Sequence, residues 1–433
     1  MSQHTPFSLR GDVVLVPAGR PATRYVLLTV TAPEHAGGAA GAGDTAGRRP
    51  SHNVSFVLDR SGSMGGAKID LAREAVARAL GMLRRDDRFS LVVYDNVVDV
   101  VVGRTEASAE ATRNAVARLA EIEARGTTDL EAGWRAGCEQ AAPHVADEPA
   151  GRCLLLTDGL ANAGLTDQAE LVARAAALRD RHIVTSTFGV GADFDEELLQ
   201  KLAAASGGHF YFIEHPAQIP DLLTSELGEA LDVVAHGATA AVQLPAGVTA
   251  EPLTRLEWCP TDGGIRVALG DLVSGQQMEV VLKLTVPAAP AGRRTSIGVT
   301  LADREGTLAA PPQELSWTSA DADAVKLAPR DLIADRAVAA LYAAAARQEA
   351  LALNRAGEFA RARDLLLRIA RRIQRYAGDD AELAAIVGKL KATAGQVGEQ
   401  MQPLMRKAVY FQSVAALASR APDGKARRQG ESR

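Results

Sequence analysis

The sequence predicts a multidomain protein that combines an α/β domain with a β-rich region and a helical region. Short apolar runs alternate with amphipathic helical segments from 51 to 233, and strand-like segments broken by Gly, Pro and Asp follow from 234 to 320. Helical periodicity then occupies 321–420. A chain of 433 residues is too long for one ordinary domain, so its length agrees with this division.

The α/β segment has the pattern of a doubly wound sheet. NVSFVLD, CLLLTDG and HIVTSTFGV have the composition of buried strands, and a helical segment follows each of them. Buried strands that alternate with helices indicate a mostly parallel sheet with helices on both faces. SLVVYD and VVDVVVG lie too close together for a helical crossover. We therefore expect one edge strand of this sheet to run antiparallel.

The flanking segments predict the other regions. Residues 1–50 contain a strand pair, VVLV and YVLLTVTA, followed by a Gly/Ala-rich linker. These strands have no helical partner, so we expect them to join the antiparallel β-sandwich predicted for 234–320. The α/β domain, 51–233, would then be an insertion between sandwich strands. We predict helices across 321–420 and a disordered tail over 421–433.

Composition narrows the class of protein. The formal net charge is -5 without a strong basic patch, which argues against nucleic acid as a partner. Cys138, Cys153 and Cys259 show neither metal-ligand spacing nor a disulfide framework, which is typical of a reducing compartment. The first residues lack an apolar signal core, and no apolar run is long enough to span a membrane. We therefore expect a cytoplasmic protein, and the abundance of Ala, Arg and Gly favours a bacterial source.

The stretch VLDRSGSMGG is the first candidate site. A phosphate-binding P-loop requires a second glycine and a hydroxyl residue, but Ala67 and Ile69 occupy those positions. A phosphate-accepting aspartate would call for a second acid two residues after Asp59, where the sequence has Ser61. Both interpretations are weaker than that of a metal site.

A metal site accounts for more of the residues. Asp59, Ser61 and Ser63 follow a predicted strand and offer oxygen ligands, which suit a hard cation such as Mg²⁺ or Mn²⁺. Two later loops, GTTDL and LLTDG, supply Thr128 and Asp158. Because these loops would lie at one edge of a parallel sheet, we predict that all five residues surround one ion.

Simpler structural roles compete at two positions of these loops. Ser63 is a suitable N-cap for the helix expected to begin near Ala67. Asp129 is expected to cap the helix after GTTDL rather than to contact the ion. A helix cap explains one residue at a time, but it does not explain why three separate loops carry oxygen ligands at the same edge of the sheet.

Together, DRSGSMGG, GTTDL and LLTDG resemble the von Willebrand factor type A (VWA) domain and its metal-ion-dependent adhesion site (MIDAS). The family pattern is D-x-S-x-S, a G-x-T loop and an [ST]-D-G loop, and the chain matches it at all five positions over roughly 51–233. The resemblance implies that the hydroxyls ligate directly, while the aspartates often act through water. An open coordination position would then accept a Glu or Asp of a partner. The flanking segments are similar to those of bacterial proteins that carry this domain.

We therefore predict a metal-dependent protein-interaction module, not an enzyme, in a bacterial assembly or regulatory system. The expected ion is Mg²⁺, with Mn²⁺ or Ca²⁺ as alternatives. A metal-assisted phosphohydrolase is one alternative, which would require a base or nucleophile near the ion. The other is a scaffold whose C-terminal helices bind the partner while the metal site is vestigial. The sequence specifies neither the partner's identity nor an oligomeric state.

Overall fold

The computed structural model describes residues 6–34, 51–142, 151–161 and 163–428. These residues form two compact units, each built from separate parts of the chain. One unit holds the described parts of 1–37, 232–402 and 412–433, and the other holds those of 38–231 and 403–411. The predicted linker falls largely on residues 35–50, which lie outside the described residues.

Strands and helices follow one another in a clear order. The strands are β1 (Phe7–Gly11), β2 (Leu15–Pro17), β3 (Ala22–Thr31), β4 (Asn53–Asp59), β5 (Arg88–Tyr94), β6 (Val98–Glu106), β7 (Gly151–Thr157), β8 (Ile183–Val190), β9 (Phe210–Ile213), β10 (Val233–Gln243), β11 (Thr249–Pro252), β12 (Trp258–Thr261), β13 (Gly264–Val273), β14 (Gln277–Val286), β15 (Arg294–Ala302) and β16 (Gln313–Ala320). The helices are α1 (Ala67–Leu80), α2 (Ala109–Ala120), α3 (Leu130–Ala141), α4 (Gln168–Asp180), α5 (Glu196–Ser206), α6 (Ile219–Leu231), α7 (Ala322–Leu327), α8 (Leu332–Arg355), α9 (Phe359–Ala377), α10 (Ala381–Val397) and α11 (Pro403–Leu417). No helix in the described ranges is long and apolar enough to cross a membrane.

The α/β unit contains a mixed sheet with the strand order β6-β5-β4-β7-β8-β9. β4, β5, β7, β8 and β9 are parallel, whereas β6 pairs antiparallel with β5. The prediction of a mostly parallel sheet with one antiparallel edge strand is confirmed. β4 is central and buried along its whole length. The chain order reverses at β4, so the loops after β4 and β7 flank one crevice at the carboxyl edge of the sheet.

Helix α3 lies unusually close to the central strands. A Cβ added at Gly133 would lie 2.3 Å from Cγ of Tyr94, and one at Gly137 would lie 2.1 Å from Cγ2 of Val57. Only glycine allows this approach, and the two glycines are one helical turn apart on the same face. Because α3 begins directly after GTTD, this close packing fixes the position of that loop.

The other unit contains two sheets, β1-β3-β14-β11 and β12-β13-β10-β15-β16-β2. Residues of both sheets share one hydrophobic cluster, which includes Val26 and Leu28 of β3 and Val242 and Val299 from the other sheet. β3 pairs with β1 on one side and β14 on the other. The sheets are not purely antiparallel as the sequence predicted, because the short β2 runs parallel to its neighbour β16.

Helices cover the outer face of β3 and β14. Leu27 and Val281 pack with Ala334, Val338 and Leu341 of α8 in a second hydrophobic cluster. The helical region predicted across 321–420 is interrupted between α7 and α8. Proline at 329 explains the break, because it disfavours helical backbone at the preceding residue and lacks an amide hydrogen.

The prediction of a disordered tail is wrong for its first part. Residues 421–428 have defined contacts: Gln277 N donates to Arg427 O at 2.8 Å, and Arg428 forms a β-bridge with Gln276. The Arg427 guanidinium also lies 3.4 Å from a carboxylate oxygen of Glu279. These backbone pairings outweigh the polar composition of the segment, APDGKARR, which predicts disorder. Residues 429–433 lie outside the described part.

Candidate metal centre

The loop after β4 places Asp59 at the bottom of the crevice. Asp59 is fully buried, and its Oδ1 accepts a 2.7 Å hydrogen bond from the amide of Ser61. Its Oδ2 accepts a 2.6 Å hydrogen bond from Oγ1 of Thr157, the last residue of β7. The Asp59 carboxylate therefore joins the loops that follow two adjacent strands.

Asp158 meets the same loop from the other side. Its Oδ1 accepts a 2.7 Å hydrogen bond from Oγ of Ser63, and that Oγ lies 3.2 Å from Oγ of Ser61. Asp158 is 1% exposed. Its Oδ2 pairs with the ammonium group of Lys68, which also donates to the carbonyl of Ser63 at 3.2 Å. One cationic group thus already lies against this carboxylate.

The third predicted loop completes the cluster. The amide of Gly62 donates to the carbonyl of Gly126 at 3.1 Å, so the first and third loops are joined through their backbones. Thr128 is buried, and a Cβ added at Gly159 would lie 2.9 Å from its Oγ1. Thr128 therefore lies beside the residue that follows Asp158. The structure brings the five predicted residues together; their role as metal ligands stays a prediction.

A buried ionic frame supports these loops. Asp95 Oδ2 lies 3.0 Å from Arg60 Nε and 2.9 Å from Arg125 Nε. Burial alone would raise the pKa of Asp95. The pKa is instead held below its usual range by hydrogen bonds from Arg125 and from the amide of Val97, together with the charge of Arg60. The carbonyl of Asp95 also accepts from the amide of Asp129 at 2.9 Å. This frame links the end of β5 to the two loops beside it.

The structure distinguishes the competing roles of Ser63 and Asp129. The N-cap of α1 is Gly66, so Ser63 does not cap that helix and its hydroxyl binds Asp158 instead. Asp129 is the N-cap of α3, and its side chain accepts from the amide of Ala132 at 3.1 Å. The prediction that Asp129 caps the helix is confirmed.

The donor set fits a divalent cation. Two buried carboxylates and three hydroxyls lie on the three joined loops, and all five donors are oxygens, as hard cations prefer. Burial raises the pKa of Asp59, against the lowering effect of its hydrogen bonds with Thr157 and Ser61, and the nearby charge of Asp158 adds to the rise. A cation in the crevice would offset both burial and the repulsion between the carboxylates. The Lys68 ammonium shows that the site accepts positive charge.

Comparisons with known proteins agree with this geometry. Residues 53–225 match the family model of the von Willebrand factor type A domain. This part of the chain is a VWA domain. The match with a crystal structure of a von Willebrand factor type A protein from Catenulispora acidiphila covers 93% of this chain and 99% of that one, with a TM-score of 0.63 and 18% sequence identity. The ArnB paralog VWA2 from Sulfolobus acidocaldarius matches over 94% of this chain and 97% of its own, with a TM-score of 0.56 and 16% identity.

These two structures share the fold of nearly the whole chain, including the strands and helices that flank the VWA domain. Among curated proteins, YfbK of Escherichia coli, whose function is uncharacterized, is 26% identical over 247 residues. That match covers 55% of this chain and 42% of YfbK. The chain therefore spans less than half of this relative's length.

Two residues of the VWA site were not predicted from the sequence. Thr157 directly precedes Asp158 at the end of β7, and its hydroxyl donates to Asp59 at the end of the neighbouring strand β4. Lys68 lies between Ala67 and Ile69, the two positions that exclude a P-loop, and its ammonium group contacts Asp158. Its place in the first turn of α1, five residues after Ser63, is the signal that could have identified it.

Proposed function

We propose that this protein binds a divalent cation, Mg²⁺ in the first instance, at Asp59, Ser61, Ser63, Thr128 and Asp158, and uses it to bind an acidic residue of a protein partner. VWA domains commonly mediate protein interactions through such a site. The observation that carries the proposal is the hydrogen bonding of three separate loops around one set of oxygen donors. The bound cation would supply an electrophilic centre for a carboxylate.

The residues of the site serve binding more readily than turnover. Asp59 and Asp158 both accept hydrogen bonds from hydroxyl groups of neighbouring loops, which hold them as ligands. The neutral hydroxyls of Ser61, Ser63 and Thr128 would leave much of the ion's charge available to a partner. A charge-assisted bond to a partner carboxylate in this half-enclosed crevice would be strong for its size. We accordingly propose a recognition module and not an enzyme.

The cellular setting is part of the same proposal. The three cysteines are free thiols, two of them buried, which fits a reducing compartment such as the bacterial cytoplasm. The E. coli relative YfbK supports a bacterial setting. We propose an assembly or regulatory role there.

The double variant Ser61→Ala/Ser63→Ala tests the proposal. The parent should bind one Mg²⁺ per chain by isothermal titration calorimetry, and proteins that co-purify with it in Mg²⁺ should be lost in EDTA. The double variant should lose both the cation and the same co-purifying proteins. Ser296→Ala/Ser316→Ala is the matched control, because these serines face each other on β15 and β16 outside the VWA domain. Unchanged partners in the Ser61→Ala/Ser63→Ala variant would exclude the proposed mode of binding.

A further inference from the structure

A second group of metal-ligating side chains lies elsewhere in the VWA domain. His209 directly precedes β9, and Glu226 and Glu229 lie on α6. One ligand atom from each of the three residues lies within 4.8 Å of the others. The two glutamates are three positions apart, so they share one face of the helix. Two elements thus direct one imidazole and two carboxylates toward the same point.

The distances suit a transition-metal ion. Nδ1 of His209 lies 3.0 Å from Oε2 of Glu226. Ligands at about 2.0–2.1 Å from a tetrahedral zinc ion are roughly 3.3 Å from one another. The backbone of His209 is fixed on both sides: its amide donates to Oγ of Ser186 at 3.2 Å, and its carbonyl accepts from the amide of Thr187 at 2.8 Å. These bonds fix the backbone that carries the imidazole, and a bound ion would take the place of the hydrogen bond between Nδ1 and Glu226.

The surroundings of Glu226 resemble those of a ligating carboxylate. The hydroxyl of Tyr211 donates to its Oε2 at 2.6 Å, and that of Ser186 donates to its Oε1 at 2.5 Å. Partners of this kind orient metal ligands and are usually as important as the ligands themselves. The Glu226 side chain is 2% exposed, whereas that of His209 is 34% exposed. The cluster therefore has a buried anchor and an open side for an ion and a water ligand.

We propose that His209, Glu226 and Glu229 form a second divalent-cation site, which takes Zn²⁺ in preference to Mg²⁺. The imidazole nitrogen is the deciding ligand, because zinc accepts nitrogen and oxygen together whereas magnesium selects oxygen. Two carboxylates with a neutral imidazole carry the charge that balances a divalent ion.

This second site is separate from the first. His209 lies at the amino end of the edge strand β9, whereas Asp59 and Asp158 lie at the carboxyl ends of β4 and β7. The two sites share no residue. An ion bound here would attach α6 to β9, and α6 ends at Leu231, two residues before β10 begins at Val233.

Zinc titration of the full-length Ser61→Ala/Ser63→Ala protein tests the proposal, because that variant lacks the first site. After EDTA treatment, and with Mg²⁺ in excess, it should bind one Zn²⁺ per chain, and X-ray absorption should show one imidazole among nitrogen and oxygen ligands. Adding His209→Gln or Glu229→Gln should weaken Zn²⁺ binding by about tenfold or more. Zn²⁺ should also raise the thermal midpoint of the parent more than that of either variant.

Glu214→Gln and His182→Asn are matched controls, because both side chains are exposed in the same domain and lie outside the cluster. They should leave Zn²⁺ affinity unchanged. If the Ser61→Ala/Ser63→Ala protein fails to bind Zn²⁺, the cluster is merely a hydrogen-bonded network. The same conclusion would follow if adding His209→Gln or Glu229→Gln leaves its Zn²⁺ affinity unchanged. If both of those variants fail to fold, Tyr211→Phe decides the question: weakened Zn²⁺ binding supports the site, and unchanged binding overturns it.

Discussion

At the residue scale, Lys68 pairs with Asp158, so a cation bound as proposed would have to share that carboxylate with Lys68. Its ammonium group pairs with the buried carboxylate while its own side chain is 26% exposed. A cation that binds beside Asp158 meets this positive charge at short range. If the site binds a cation as proposed, Lys68 would lower its affinity and would favour a partner that brings additional negative charge.

We expect Lys68→Ala to raise the Mg²⁺ affinity by about tenfold, because unit charges a few ångströms apart interact by about 1–4 kcal/mol near a protein surface. Isothermal titration calorimetry measures the change. Lys201→Ala is the control, since Lys201 pairs with Glu197 along α5 and not with the site. Equal or weaker Mg²⁺ binding by Lys68→Ala would show that the lysine does not oppose the cation.

Asp59 should make the stability of the metal-free protein depend on pH. Burial raises the pKa of its carboxyl, so the ionised form is less favourable in the folded state than in the unfolded chain. The contribution of Asp59 protonation to the stability of the fold is therefore complete below the unfolded pKa of about 3.9. It is lost as the pH rises through the higher pKa of the folded state. Bound metal would reverse this loss.

In EDTA near neutral pH, we expect Asp59→Asn to equal or exceed the parent's free energy of unfolding by up to about 1 kcal/mol. This advantage should shrink in mild acid, where the parent carboxyl is protonated. Urea denaturation at the two pH values measures both effects. If the variant is destabilised equally at both pH values, the parent's Asp59 carboxyl is needed for its hydrogen bonds and is not strained by its charge.

At the scale of elements, α3 connects the core of the VWA domain to the candidate metal centre. Gly137 brings the helix against Val57 of β4, and α3 begins two residues after Thr128. A displaced α3 would therefore displace the GTTD loop.

Gly137→Ala should destabilise the VWA domain by about 1–3 kcal/mol, because the new methyl group overlaps Val57 in a closely packed core. It should also weaken Mg²⁺ binding. Gly388→Ala in α10 is the opposite case, because a Cβ there meets nothing within 4 Å. That change should stabilise its helix by about 0.4–1 kcal/mol. Thermal and urea unfolding compare the two, and equal effects would contradict the packing argument.

The helices and strands also show which elements can be predicted from the hydrophobic pattern of the sequence. Helices α1, α4 and α5 follow β4, β7 and β8, as the alternating pattern predicts. α1 and α5 each bury several apolar residues, whereas α4 buries only Leu171 and Ala175. The sequence pattern does not predict β11 and β12, because TAEP and WCPT are short, contain proline and lack an apolar alternation. Such strands exist only because β14 and β13 provide backbone partners.

At the scale of the whole molecule, distant parts of the chain complete each unit. Residues 403–411 of α11 belong to the unit of the VWA domain. The Lys407 ammonium lies 2.5 Å from Oε2 of Glu196, 2.5 Å from the carbonyl of Phe194 and 4.0 Å from the centre of the Phe194 ring. Burial lowers the pKa of Lys407, and Glu196 opposes that effect.

Lys407→Met should cost about 3–5 kcal/mol, because it leaves the buried Glu196 without its closest cation. Adding Glu196→Gln should recover much of this loss. Lys326→Met is the control, since Lys326 is 73% exposed and should change stability by less than about 1 kcal/mol. Chemical denaturation measures all three, and a Lys407→Met protein as stable as the parent would contradict a buried ion pair of this strength.

The amino-terminal strands complete the other unit. Leu27 and Leu28 of β3 are fully buried in two different hydrophobic clusters. Deletion of residues 1–34 should therefore expose β14 and the core around it, and limited proteolysis should then cleave within 232–402. Arg10→Ala, which breaks an exposed ion pair with Asp331, should leave the digestion pattern unchanged. A truncated protein with the parent's melting temperature would contradict the prediction.

The sequence by itself determined the α/β domain, its antiparallel edge strand and the five residues gathered at the crevice. Those features depend on local periodicity and on the rule that parallel strands end at one edge, so short segments suffice to specify them. Only the tertiary structure decided that Lys68 reaches Asp158, that Lys407 reaches Glu196 and that His209 meets two glutamates of α6. These contacts join side chains on separate elements, and the packing that brings such elements together leaves no local pattern in the chain.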